Sequence, residues 1–80
     1  RGMVNLAAGI DTIKIWLNFT WDAEKNIILG EFRSRGIKIV DIAKKYGGGG
    51  HEQACGASLQ TWAQVDEVIA DFKQLLKENN

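Results

Sequence analysis

This chain has one cysteine, one histidine, no excess of either charge and no long apolar run. A lone cysteine excludes an intramolecular disulfide framework, so an 80-residue chain must rely on its own small core. One cysteine and one histidine also fall short of the ligand set of a structural zinc site. Ten Lys plus Arg balance ten Asp plus Glu, which removes the global positive field that drives non-specific binding to long nucleic acid. Any anion site must therefore be local. No apolar stretch approaches the roughly 20 residues that span a bilayer, so no membrane partner is expected. With no signal-like N-terminus, the lone thiol suggests a reducing, cytoplasmic setting. The start at Arg1, Gly2 and Met3 looks like a cut inside a larger protein, so residues 1–80 are expected to be a single excised domain.

Periodicity supplies the elements. Met3 to Ala8, stopped by Gly9, has the look of a last helical turn. From Ile13 to Trp21, apolar Ile13, Ile15, Leu17, Phe19 and Trp21 alternate with Lys14, Trp16, Asn18 and Thr20, the pattern of a strand with one buried face. Trp16 breaks the polarity of the wetter face, and a helix packed there is expected to bury it. Asp22 to Asn26 forms a turn, and Ile27 to Arg35 forms a second strand paired with the first. Ile28 and Phe32 then share one face while Leu29, Glu31 and Arg33 share the other. Ile39, Val40, Ile42, Ala43 and Tyr46 recur at helical spacing over residues 39–46, and Ala54 to Leu59 could be a buried strand. Thr61 and Gln64 make a capping box for a helix over about 62–78 with the stripe Val65, Val68, Ile69, Phe72, Leu75 and Leu76. The fold class expected is α+β: a small mixed sheet built on the hairpin, a short helix leading into a Gly-rich loop, and a long C-terminal helix packed on the sheet.

The segment KKYGGGGHEQACG, residues 44–56, carries the functional question. A flexible linker joins independent units, and neither side of this segment is long enough to fold alone. Gly47 can end the preceding helix, but four glycines exceed what one cap requires. Their bare backbone N–H groups could form a concave nest for phosphate or carboxylate. The phosphate loop of nucleotide triphosphatases needs Lys then Ser or Thr after its last glycine, and His51 and Glu52 stand here instead. HEQAC is not a zinc-protease helix, since glycines flank it and a second histidine is lacking. Cys55 fits a buried small residue better than a nucleophile, because nothing supplies an orienting acid or an oxyanion hole. His51 can donate a hydrogen bond to phosphate. In FRSRG, residues 32–36, Arg33 can grip phosphate bidentately and Ser34 adds a hydroxyl. On these grounds a phosphate site and a purely structural turn stand even.

The order FRSR, then IVDIAKKYGGGGHEQACGASL, resembles the C-terminal DHH-associated domain of DHH-family phosphoesterases. In that family an Arg-Ser pair on a strand precedes a short helix and a G-G-G-H-x-x-A-x-G loop. The likeness covers about residues 13–78, and Ala54, Gly56 and Ala57 place it nearest the branch of short-oligoribonuclease and phosphoadenosine-phosphate phosphatase enzymes. The resemblance implies a substrate-binding set of Arg33, Ser34, Gly48, Gly49, Gly50 and His51, with no catalytic residue and no metal ligand in this chain. It implies a separate N-terminal catalytic domain in the same parent chain, with Asp and His ligands for two manganese ions, and a short RNA or nucleotide substrate. It leaves room for a homodimer of that parent. No D-H-H triplet occurs here, so the chain is expected to bind and not to cut. Two alternatives carry the same loop or domain: a cyclic-dinucleotide phosphodiesterase, and the non-catalytic nucleic-acid-binding module of alanyl-tRNA synthetases. The balanced charge weighs mildly against long RNA, which relies on many phosphate contacts.

Overall fold

A computed structural model describes residues 3–8 and 12–79. Its elements are β1 (Met3–Ala8), β2 (Thr12–Asp22), β3 (Ile27–Ser34), α1 (Val40–Lys45), β4 (Gly49–His51), β5 (Ala54–Leu59) and α2 (Trp62–Glu78). The strands form one sheet in the order β1-β2-β3-β5-β4.

The hairpin at its centre follows from alternation. Ile15, Leu17 and Phe19 of β2 are buried on one face, and Ile28, Gly30 and Phe32 of β3 join them. The register runs from Ile15↔Ser34 to Asp22↔Ile27. At its tip the Asp22 carboxylate accepts from the backbone N–H groups of Glu24 at 3.1 Å and Lys25 at 3.2 Å. Asn26 closes the turn at φ 56°, a left-handed conformation that Asn tolerates because its short polar side chain bonds locally.

Both helices lie on the Phe32 face. Thr61 caps α2 by accepting from Gln64 N–H, and the Gln64 side chain returns the bond to the cap. Its 3.6-residue stripe then buries Val65, Val68, Phe72 and Leu76. The Phe72 ring lies 5.1 Å from that of Phe32, which meets Phe19 edge-on at 5.9 Å. Gly30 leaves the room for Phe32, since a Cβ there would come within 2.9 Å of the ring. Ile37, Ile39 and Ala43 complete this core from the α1 side. Asp71 ties the helices together by accepting from Lys45 Nζ at 2.9 Å and Tyr46 Oη at 2.6 Å. Burial raises the Tyr46 hydroxyl pKa above its ordinary value, and the Asp71 hydrogen bond raises it further. Partial burial pushes the Asp71 carboxyl up, but the bonds from Tyr46 and Lys45 outweigh this and hold it low.

The α+β class, the hairpin, the short helix and the long C-terminal helix stand as expected, and three points differ. Met3–Ala8 is a strand paired with β2 from Met3↔Asn18 to Ala8↔Thr12, not a helix end. Six residues are too few to display a period, and the partner strand decides their state. Gly9, to which the helix end was assigned, lies outside the described residues. The Gly-rich segment is partly a strand, because β4 pairs with β5 through Gly49↔Gly56, Gly50↔Cys55 and His51↔Ala54. Finally, the sheet expected as mixed has only antiparallel pairings among its described strands. The two-residue turn Glu52–Gln53 folds β5 back between β3 and β4, so the crossover through α1 never sets two neighbours parallel.

Candidate functional site

Among the described residues no helix covers the second face of the sheet, and cross-strand registers assign its side chains. Trp16 pairs with Arg33, Arg33 with Ala54, and Ala54 with His51, so these four form one row across β2, β3, β5 and β4. The next row on that face is Asn18, Glu31, Gly56 and Gly49. Side chains rise from β3 and from His51, while β5 between them presents only Ala54 and Gly56. The result is a trough of about 330 Å³, with Arg33 and Glu31 on one side and Gly49, Ala54 and Gly56 in its floor. Arg33 and His51 stand two strand spacings apart, about 10 Å between backbones. His51 stands at the end of the row, outside the residues that line the trough itself.

The four glycines have separate causes. Gly47, at φ 84°, takes the left-handed position after α1, and its N–H bonds Lys44 O at 3.0 Å. Gly48 N–H bonds Ala43 O at 2.8 Å, which completes a Schellman motif. A Cβ on Gly48 would sit 1.9 Å from Gly56 O, so packing forbids a side chain there. Gly50 combines φ 135° with a 2.7 Å approach to Cys55 Cα. Gly49 has neither constraint: its φ is ordinary and a Cβ would meet nothing within 4 Å. The fold demands three of the four glycines, and the remaining one, Gly49, lines the trough together with Gly50.

Backbone hydrogen bonds fix this geometry. Ser34 N–H bonds Gln53 O at 3.0 Å, which marks Ser34 and Gln53 as a bonded pair of the ladder. By alternation Arg33↔Ala54 is a non-bonded pair, and Gly50, opposite Cys55, turns its N–H and C=O away from β5 to the outer edge. Gly36 N–H donates to Gln53 Oε1 at 2.9 Å, and Ile39 N–H donates to Glu52 O at 2.8 Å. The turn that follows His51 is thereby bolted to the bend that follows Arg33.

The structure brings Arg33, Gly49, Gly50 and His51 to one face or edge. Gly48 lies beneath them as a packing residue. Ser34 stands apart: it is the strand neighbour of Arg33, so it faces the helix side, and its hydroxyl donates to the Ile37 carbonyl. Trp16 is not buried under a helix, because both helices are drawn to the face that carries Phe19 and Phe32. It is half-buried on the open face, with the Arg35 guanidinium 5.5 Å from its ring centroid. Cys55 is a free, half-buried thiol on the helix side, and burial raises its pKa. Sequence reasoning missed Glu31, which alternation alone put beside Arg33, and Gln53, whose partners lie far away along the chain.

Comparison with known proteins identifies the family of the chain. The chain is 47% identical over 68 residues to the bifunctional oligoribonuclease and PAP phosphatase NrnA of Mycoplasma genitalium, covering 85% of this chain and 21% of that protein. It is 39% identical over 77 residues to the NrnA of Bacillus subtilis, covering 96% of this chain and 24% of the relative. A Mycoplasma pneumoniae relative described as an uncharacterized protein MG371 homolog is 31% identical over 81 residues, covering 98% of this chain and 25% of its own length. The chain thus spans about a fifth to a quarter of these relatives. The sequence profile of the DHHA1 domain matches residues 1–78, and the chain belongs to that family.

Proposed function

We propose that this chain is the substrate-binding domain of a DHH-type phosphoesterase that acts on short oligoribonucleotides or phosphoadenosine phosphate. The activity named for the NrnA relatives supports the reaction class. One observation in the structure carries the site: Gly49, which neither packing nor φ requires to be glycine, floors a trough flanked by Arg33 on the row that ends in His51. In this reading the Arg33 guanidinium takes two oxygens of a substrate phosphate. His51 donates a further hydrogen bond, and bare backbone at Gly49 and Gly50 lets the phosphate approach closely. Ser34 contributes through the bend after Arg33.

Holding one phosphate of a short chain fixes the position of its neighbour, which is how such a domain would raise the rate of a reaction performed elsewhere. The manganese ions belonging to this reading supply Lewis acidity and an activated water when bound. Residues of this chain do not fit them: among the described residues no three His, Cys, Asp or Glu side chains gather into a metal-holding group. No step is assigned to this chain beyond binding and orientation. The catalytic centre of the reading lies in another domain of the same parent chain, in a cytoplasmic setting. Among the described residues no helix is long and apolar enough to cross a membrane.

The test is kinetic. In the full-length parent, Arg33→Ala or His51→Ala removes a charge-assisted hydrogen bond of roughly 1.5–3 kcal/mol, a loss of about 10- to 150-fold in affinity. KM for a dinucleotide should rise while manganese content stays at the wild-type level. Unchanged kinetics in both variants would return the glycine segment to a structural turn.

A further inference from the structure

We infer that Trp16 is the platform on which the base of the bound nucleotide stacks, an inference that rests on the phosphate reading of Arg33. Trp16 and Arg33 are direct cross-strand partners on the open face, so a phosphate held by Arg33 lies beside the indole. A second depression of about 110 Å³, lined by Trp16, Asn18, Glu31 and Arg33 among others, adjoins the larger trough and shares Glu31 and Arg33 with it. The two form one groove: an aromatic end without glycines, and a glycine end whose one aromatic residue, Phe32, buries its ring on the helix side. A nucleoside monophosphate has this same division. The ring face can be approached from the open side, since the Arg35 guanidinium carbon lies 5.5 Å from its centroid. Arg35 is exposed, and an exposed cation–π contact is weaker than stacking of a base on an aromatic side chain, so a base takes its place.

The experiment compares two probes as competitive inhibitors of dinucleotide hydrolysis by the full-length parent: adenosine 5′-phosphate and its base-free counterpart, ribose 5-phosphate. Wild type should bind the adenosine compound more tightly. Trp16→Ala should weaken it by about 5- to 150-fold and leave ribose 5-phosphate within twofold, whereas Arg33→Ala should weaken both. Equal adenosine phosphate affinity in wild type and Trp16→Ala would overturn the stacking role while leaving the phosphate site intact. Loss of neither probe in Arg33→Ala would overturn the phosphate site and the stacking role with it. If Trp16→Ala does not fold, Trp16→Phe and Trp16→Leu decide: Phe should retain the adenosine preference and Leu should lose it, and equal affinities would refute the inference.

Discussion

Alanine placed singly at Gly48, Gly49 and Gly50 should separate folding from binding within three consecutive residues. At Gly48 the new methyl would lie 1.9 Å from Gly56 O and 2.7 Å from Ala57 Cα, both backbone atoms of the neighbouring strand that cannot rotate away. Overpacking of this kind costs about 1–3 kcal/mol. At Gly50 the methyl meets Cys55 Cα at 2.7 Å and Ala54 O at 2.8 Å, and φ 135° is itself unfavourable for alanine. In a domain of this size each 1 kcal/mol lowers Tm by roughly 4–8 °C. Gly48→Ala and Gly50→Ala should therefore melt at least several degrees below wild type. Gly49→Ala meets nothing within 4 Å and should stay within about 0.5 kcal/mol. Its methyl nevertheless projects into the floor of the trough, where it would hold a phosphate away from the backbone. The assay pairs thermal melting with kcat/KM for a dinucleotide in the full-length parent. A wild-type Tm with activity reduced tenfold or more is expected for Gly49→Ala. A Tm drop equal to that of Gly48→Ala, or unaltered activity, would refute the claim that Gly49 is bare for the sake of a ligand.

Three further outcomes follow from the same geometry. Gln53→Ala removes the acceptor for Gly36 N–H and loosens the bolt between the Arg33 bend and the His51 turn; KM should rise severalfold with kcat nearly constant, and an unchanged KM would show that the backbone bonds suffice. Asp71 is held low in the folded state, so its contribution is present above its unfolded pKa of about 3.9 and is lost as pH falls through the folded value. Tyr46 is held high, so its contribution is present below about pH 10 and is lost as pH rises further. Asp71→Asn should flatten both limbs of a Tm–pH curve, and parallel curves for the two proteins would contradict this. The isolated chain, freed of other nucleases and supplied with manganese, should not hydrolyse dinucleotides; turnover that copurifies with it would place a metal centre in a chain whose described residues gather no metal-holding group.

How far the sequence could be read depended on whether side chains carried the information. β2, β3 and α2 were legible because Ile15, Leu17 and Phe19, then Ile28 and Phe32, then Val65 to Leu76, repeat at the period of their element. β4 was not legible, since Gly49 and Gly50 have no side chain to show alternation, and only pairing with β5 makes them a strand. The face of Trp16 was misjudged for a related reason. A tryptophan among polar residues suggested a covering helix, but the larger apolar surface of Phe19, Phe32 and Leu59 on the opposite face captured both helices. Arg33 and His51 could be singled out as candidates from residue type and motif. Their placement on one row required the β3-β5-β4 order, which brings together residues 18 positions apart through a strand that neither of them belongs to.

The central claim, that Arg33 and His51 hold one phosphate of the substrate, is tested most directly by a double-mutant cycle on kcat/KM for a dinucleotide in the full-length parent. Each single alanine variant should lose roughly 1.5–3 kcal/mol of transition-state binding. The pair should lose less than the sum, because a phosphate already released by one residue has less to lose from the other. Melting of all four proteins should coincide, as both side chains are exposed on the open face. Strictly additive losses would mean that the two residues act on different parts of the substrate, and wild-type activity in both single variants would mean that the trough is not the binding site.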